Sequence, residues 1–231
     1  MPHSQDGYVS GMTNARDEVL PTLGRILGLW VVVTALVVGL GWLITHPLAS
    51  GVDGFDNPIS RWFADQRTGS LSSLADVGTL LGETITGLSV AAVTALVFSL
   101  WQRSIRPALF VALAEACIGG LYFVATHLIS RDRPPVKILD AGLVPDHSFP
   151  SGHVATAIVA YAGIVVLLRT YAAAVGRWAV VLLLLPAFTL LSRLYQGAHH
   201  VTDVATSVCY ASVFLLVLAR LLLPRPDSVA T

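Results

Sequence analysis

The chain has 231 residues, 55% of them hydrophobic and only 12% charged, and its mean hydropathy of +0.72 is above what a domain with a solvated surface carries. The 14 Lys and Arg residues balance 14 Asp and Glu, which leaves no basic field for a nucleic acid and no acidic tail. This is the composition of a membrane protein. Cys117 and Cys209 both sit inside apolar runs and read as buried fillers, with neither a disulfide framework nor a zinc site implied.

Residues 1–20 carry Pro, Ser, Asp and Gly without periodicity and read as a disordered cytoplasmic tail. Six apolar stretches follow, at about 23–45, 80–101, 107–129, 153–168, 178–195 and 201–223, against the ~20 residues that cross hydrocarbon as helix. The fourth and fifth are short and need the polar residues at their ends to extend them. The first is too long for the apolar region of a cleaved signal and reads as retained. Between the first two, residues 51–78 are polar and turn-rich, yet Ile59, Trp62 and Phe63 recur at helical spacing, as do Leu71 and Leu74. Short helices in the outer interface would explain this, an ordinary loop with apolar anchors being the alternative. Residues 224–231 read as a second cytoplasmic tail. The expected fold is all-α: one polytopic domain over 21–223 with six transmembrane helices.

With the N-terminus inside, Arg16, Arg25, Arg103, Arg106, Arg169, Arg177, Arg220 and Arg225 face the cytoplasm, eight of the 14 basic residues. The positive-inside rule therefore favours both termini in the cytoplasm. The Arg-rich, Lys-poor composition suits a bacterial inner membrane.

In a chain so poor in charge, the informative feature is where ionisable residues concentrate, since each is costly near hydrocarbon unless paired or used. They form three clusters: Ser130-Arg131-Asp132-Arg133-Pro134-Pro135, then His147-Ser148-Phe149-Pro150-Ser151-Gly152-His153, then the stretch from Ser192-Arg193 to His199-His200-Val201-Thr202-Asp203. Six alternating spans put all three on the outer side. Arg133 and Arg193 offer planar forks for phosphate or carboxylate oxygens. Pro150-Ser151-Gly152-His153 reads as a turn feeding a helix, an anion cradle of backbone N–H groups, helix dipole and the Ser151 hydroxyl. His199 and Asp203 are four apart, so on a helix the carboxylate can hold one imidazole nitrogen and free the other as nucleophile or base. His153 borders the cradle and is placed to protonate a leaving oxygen. Together these residues spell phosphoryl transfer through a phosphohistidine. The spacing of His199, His200 and Asp203 lacks a paired zinc-binding face, and neither metal nor cofactor is expected.

These clusters resemble the signature of the type 2 phosphatidic acid phosphatase and vanadium haloperoxidase superfamily: Lys-x6-Arg-Pro, then Pro-Ser-Gly-His, then Ser-Arg-x5-His-x3-Asp. The second and third match in full, and the six-span count fits the membrane lipid-phosphatase branch. The resemblance implies His199 as nucleophile, Asp203 as its orienting partner and His153 as acid and later base. Arg133, Ser151, Gly152 and Arg193 would bind the phosphoryl oxygens. It further implies metal-independent hydrolysis of a lipid phosphomonoester or diphosphate at the outer face, with a polyprenyl diphosphate ahead of phosphatidylglycerol phosphate and phosphatidic acid. The departure is Thr126, which stands where the family has its lysine. The auxiliary residues expected around the lost charge are His127, Arg131 and Lys137, and His147 is a further substrate contact. Glu115, mid-span, reads as a protonated carboxyl bonded to a neighbouring helix, with a functional role as the alternative, and Gly119 and Gly120 as sites of close helix packing.

The expected partners are the lipid-phosphate substrate and membrane lipids, with self-association left open and no nucleic acid. The rival readings are a lipid-phosphate transporter, a non-catalytic lipid-phosphate binder suggested by Thr126, and a lipid phosphotransferase.

Overall fold

The structure, a computed structural model, describes residues 6–224, and every regular element among them is helical. Helix α1 (Asp6–Thr45) begins inside the stretch expected as a tail. A helix nucleated by its apolar span gains one hydrogen bond for each residue added, except at Pro21 inside it, which has no N–H to give. Residues 1–5 and, apart from Pro224, the expected C-terminal tail lie outside the described residues.

Five helical stretches are long and apolar enough to cross a membrane: Leu20–Thr45 within α1, α4 (Thr84–Gln102), α5 (Arg106–Leu128), α6 (Gly152–Tyr171) and α8 (Val201–Leu222). The sixth expected span, α7 (Ala179–Tyr195), is apolar but shorter. Its opening Ala179–Leu183 is a 3-10 helix, which rises more per residue than an α-helix and lets fewer residues reach further. Pro186 then falls in the first turn of the α-helical part, the position of a helix at which proline is best tolerated. Within α6, Ile158–Ala162 is a π-helical turn.

Two helices occupy the polar segment after the first span, as the spacing of Ile59, Trp62 and Phe63 implied. They are α2 (Ala49–Asp65) and α3 (Gly69–Gly82). On α2 the buried residues are Asp56 and Ser60, while Phe55 and Trp62 are 56% and 57% exposed. Asp56 and Ser60 therefore face the protein together with Phe63, which packs against the core, while Phe55 and Trp62 face the surroundings. The second span starts at Thr84, not near 80, because α3 continues to Gly82 and the extended backbone of Glu83 separates the two helices.

The core lies where α5, α6 and α8 meet, with Phe110, Leu121, Val154, Phe214 and Leu218 fully buried. Leu36, Val93, Leu96 and Leu216 are each more than half exposed, part of an apolar belt of the kind that a bilayer covers and water does not tolerate. The chain is a multi-pass membrane protein.

Helix α3 approaches α7 and the start of α6 at backbone distance. A Cβ at Gly78 would lie 2.0 Å from Ser192 Oγ, and one at Gly82 would lie 2.6 Å from the His153 carbonyl oxygen. Gly119, expected to serve packing, instead faces open space, and only Gly120 packs, against Trp30. Cys117 is buried as expected. Cys209 is exposed, on the face of α8 that borders a groove with α1, so its apolar run reflects a lipid-facing surface and not the protein core.

Candidate active site

Residues 129–151 fold back on themselves between α5 and α6. The Arg131 N–H donates to the Asp146 carbonyl at 2.8 Å, that of Ser148 to the Arg131 carbonyl at 3.0 Å, and that of Arg133 to the Pro145 carbonyl at 3.2 Å. This lays the first motif along the second. Arg133 then ties both to the third: its Nη1 donates to the Ala198 carbonyl at 2.5 Å, its Nη2 to that of His147 at 3.1 Å and its Nε to that of Val144 at 2.9 Å. A guanidinium carries five N–H donors, so three such bonds leave two for a ligand.

His199 is 4% exposed, in the turn between α7 and α8. Its Nδ1 donates to the Ser148 carbonyl at 2.6 Å, which leaves Nε2 with its lone pair. Asp203 Oδ2 is 4.0 Å from that Nδ1. The sequence expectation of a direct His199–Asp203 hydrogen bond is thus corrected, because α8 begins only at Val201 and the turn before it carries the ring toward the Ser148 backbone. The fully buried Asp203 instead accepts from Ser148 Oγ at 2.6 Å and from the His200 N–H at 2.8 Å, and so holds the two segments that frame His199. Burial and then repulsion from Arg193 and Arg133 keep His199 well below the ordinary histidine range, against the opposing pull of Asp203 and the Ser148 carbonyl.

Arg193, at the end of α7, is wholly buried. Its Nη1 donates to Asp140 Oδ2 at 2.7 Å and to Gln196 Oε1 at 3.0 Å, while Nε and Nη2 have no partner. A buried guanidinium edge without acceptors is costly unless a ligand supplies oxygen. Ser151 matches it: its N–H donates to Ser207 Oγ at 2.8 Å, but its own buried hydroxyl is unpartnered. Gly152 opens α6, and a Cβ there would meet the Tyr122 ring at 3.1 Å. His153 follows, with Arg193, Asp140 and Arg133 as its charged neighbours. It lines two cavities, one of about 610 Å³ shared with Asp140 and Gln196 and one of about 460 Å³ that runs between α4, α5 and α6.

The auxiliary residues are engaged in other contacts. The Thr126 hydroxyl donates to the Tyr122 carbonyl of its own helix at 2.9 Å. His127 is exposed, its ring centroid 4.1 Å from that of Phe123. Lys137 is exposed, and only its carbonyl is engaged, by Arg67 at 2.7 Å. His147 contributes its carbonyl to Arg133 while its ring stands 3.9 Å from Asp146. Arg131 is 6% exposed and committed to carboxylates, with Nη2 on Asp56 Oδ2 at 2.8 Å and Nη1 on Asp203 Oδ1. Arg131 is thus spent on carboxylates, while the exposed His127 and Lys137 show no side-chain hydrogen bond to the residues of the three motifs.

Sequence reasoning missed Asp56, Ser148 as a double anchor, and Tyr122. Asp56 also accepts from the Thr202 hydroxyl at 2.5 Å and the Thr202 N–H at 3.2 Å. Its sequence signal was slight, one acid on the polar stripe of an amphipathic helix. Among the described residues no group of three or more His, Cys, Asp and Glu side chains is arranged to hold a metal ion.

No curated protein sequence matches the chain. The crystal structure of the first transmembrane PAP2 type phosphatidylglycerolphosphate phosphatase from Bacillus subtilis superposes on it with a TM-score of 0.69, over 90% of this chain and 96% of that one, at 19% identity. At this identity the likeness speaks for the fold, helices and their order included. The model of the PAP2 superfamily matches residues 104–227, more than half of the 231 and a stretch that contains all three motifs, and on that match the chain belongs to the PAP2 superfamily.

Proposed function

We propose that the protein is an integral-membrane phosphoric ester hydrolase that removes phosphate from a lipid phosphomonoester or diphosphate through a phosphohistidine on His199. The observation that carries this reading is a buried, neutral His199 with Nδ1 engaged and Nε2 free, in the field of two arginines, one of which has an unpartnered buried edge. Family membership supports the enzyme class. The phosphatase activity named for the Bacillus subtilis protein supports a lipid phosphate as substrate.

In the first step Nε2 of His199 attacks phosphorus, a P–N bond forms and the P–O bond to the lipid breaks. His153 delivers a proton to the departing oxygen, so the lipid leaves as an alcohol or, from a diphosphate, as the monophosphate. Arg193 Nε and Nη2, the remaining Arg133 donors and the Ser151 hydroxyl take the charge that grows on the phosphoryl oxygens. In the second step His153 accepts a proton from water, whose oxygen displaces the histidine and releases inorganic phosphate. Asp203 positions rather than touches the nucleophile, and an alcohol in place of water would make the reaction a phosphotransfer. The active site belongs to the extracytoplasmic face of a bacterial inner membrane in this reading, as the arginine distribution suggests. The substrate candidates are polyprenyl diphosphate, phosphatidylglycerol phosphate and phosphatidic acid.

A second reading, a lipid-phosphate binder without turnover, is favoured by Thr126, whose hydroxyl is spent on its own helix. Phosphate release from these three lipids by detergent-purified protein, with EDTA present and His199→Ala in parallel, separates the two. Release by the wild type alone, with acid-labile, base-stable phosphate on the protein during turnover, is the expected result. Vanadate binding without release from any lipid would replace the hydrolase with the binder.

A further inference from the structure

The cavity of about 460 Å³ between α4, α5 and α6 has His153 and Gly152 at one end and Glu115 on its wall. Gly152, where a Cβ would meet the Tyr122 ring at 3.1 Å, marks the end nearest the site. Glu115 lies seven residues below Tyr122 on α5, two turns along nearly the same face, which is about 10 Å into the span. Gly119, between them, adds no side chain and leaves the space open. Most of the lining is apolar, as Leu88, Ala116, Ile118 and Ala155 are. Glu115 is the carboxyl in that lining, and Tyr210 of α8, whose buried hydroxyl has no hydrogen-bond partner either, lines the cavity too. Glu115 bonds to no neighbouring helix, contrary to the sequence expectation, and its buried Oε1 has no hydrogen-bond partner.

An unpaired carboxyl inside a membrane span is expensive, and an unsatisfied buried oxygen calls for a specific reason. A purely hydrocarbon occupant, such as a polyprenyl chain, would leave that oxygen unpaired. A glycerolipid would not, because its glycerol carries hydroxyl or ester oxygens at a short remove from the terminal phosphate, with acyl chains beyond them. We propose that this cavity receives the body of a glycerolipid phosphate and that Glu115 hydrogen-bonds an oxygen of its glycerol backbone, which makes Glu115 a specificity residue against polyprenyl substrates. The proposal rests on the hydrolase reading and narrows its substrate class. It assigns Glu115 no part in phosphoryl transfer.

The test compares kcat/KM for phosphatidylglycerol phosphate with kcat/KM for a polyprenyl diphosphate in the same detergent, for wild type, Glu115→Leu and Glu115→Gln. The ratio of the two is insensitive to the fraction of protein that folds. Loss of one buried hydrogen bond lowers the glycerolipid-to-polyprenyl ratio about tenfold in Glu115→Leu. Glu115→Gln, which keeps a donor and an acceptor, stays within about twofold of wild type by the same reasoning. An unchanged ratio in Glu115→Leu, or an equal fall for both lipids, overturns the proposal. If wild type releases phosphate from neither lipid, it is the hydrolase reading that fails, and Glu115 is then judged by thermal stabilisation of the His199→Ala protein by the glycerolipid phosphate. Stabilisation lost with Glu115→Leu and kept with Glu115→Gln supports the subsite, and equal stabilisation in all three overturns it.

Discussion

At the scale of single residues the site depends on groups that hold other groups. Arg131 joins two fully buried carboxylates, Asp56 and Asp203, and removal of one partner from a buried ion pair typically costs about 3–5 kcal/mol because the other charge is left uncompensated. Asp56→Ala is therefore expected to lower the melting temperature in detergent markedly. It should also lower kcat more than it raises KM, since Asp56 bears on Asp203 and not on the lipid. Differential scanning fluorimetry with steady-state kinetics checks both, and an unaffected melting temperature would refute the coupling. His199 gives a pH dependence. Its native titration lies well below the ordinary value of 6.5, so between the two the unfolded chain binds the proton that the native state refuses. Stability is thus fully present above that range and declines as the pH falls through 6.5 toward the native value. Melting temperatures recorded from pH 8 down to 5 should show a decline that His199→Gln reduces.

Among elements, the approach of α3 to α7 is what fastens the interfacial segment over the site. Gly78→Val would set a branched side chain where even a Cβ meets Ser192 Oγ at 2.0 Å, and overpacking of this kind typically costs about 1–3 kcal/mol. A lower melting temperature with reduced activity on every substrate is the expected result. Gly119→Leu is its opposite: the new side chain enters open space, so stability holds while KM for lipid substrates rises and inhibition by vanadate, a small anion, stays as it was. The two variants read helix packing and cavity access separately. The link between α2 and α3 is stapled in the same spirit, with Arg67 Nε and Nη2 on the Tyr195 carbonyl at 3.1 and 3.0 Å and Nη1 on that of Lys137 at 2.7 Å.

For the whole molecule, if α7 crosses along with the five longer apolar helices, the start of α1 and the end of α8 fall on one side of the membrane and the α5–α6 segment on the other. In intact cells a cysteine introduced at the exposed Lys137 should react with a membrane-impermeant maleimide, in a background free of Cys209. One introduced at Arg103, in the turn between α4 and α5, should react only after permeabilisation. The reverse pattern would invert the orientation and put the pocket on the cytoplasmic face.

Much of this protein was legible in its sequence because the bilayer imposes a coarse and severe rule: backbone polar groups must be satisfied within a helix, so apolar length alone marks the spans. The same scarcity of charge made three clusters stand out, and alternation of spans sufficed to bring them to one face. What the tertiary structure alone decided is who holds whom. Asp203 bonds Ser148 and His200 and not His199, Arg131 serves Asp56 across more than seventy residues of chain, and Glu115 faces a cavity instead of a partner helix. These outcomes follow from the course of short irregular segments, 129–151 and 196–200, whose backbone carbonyls and N–H groups are the same at every residue but proline and carry no mark of their partners in the sequence. Periodicity finds helices because side chains repeat. It cannot find the turn that rotates one imidazole from a carboxylate to a carbonyl.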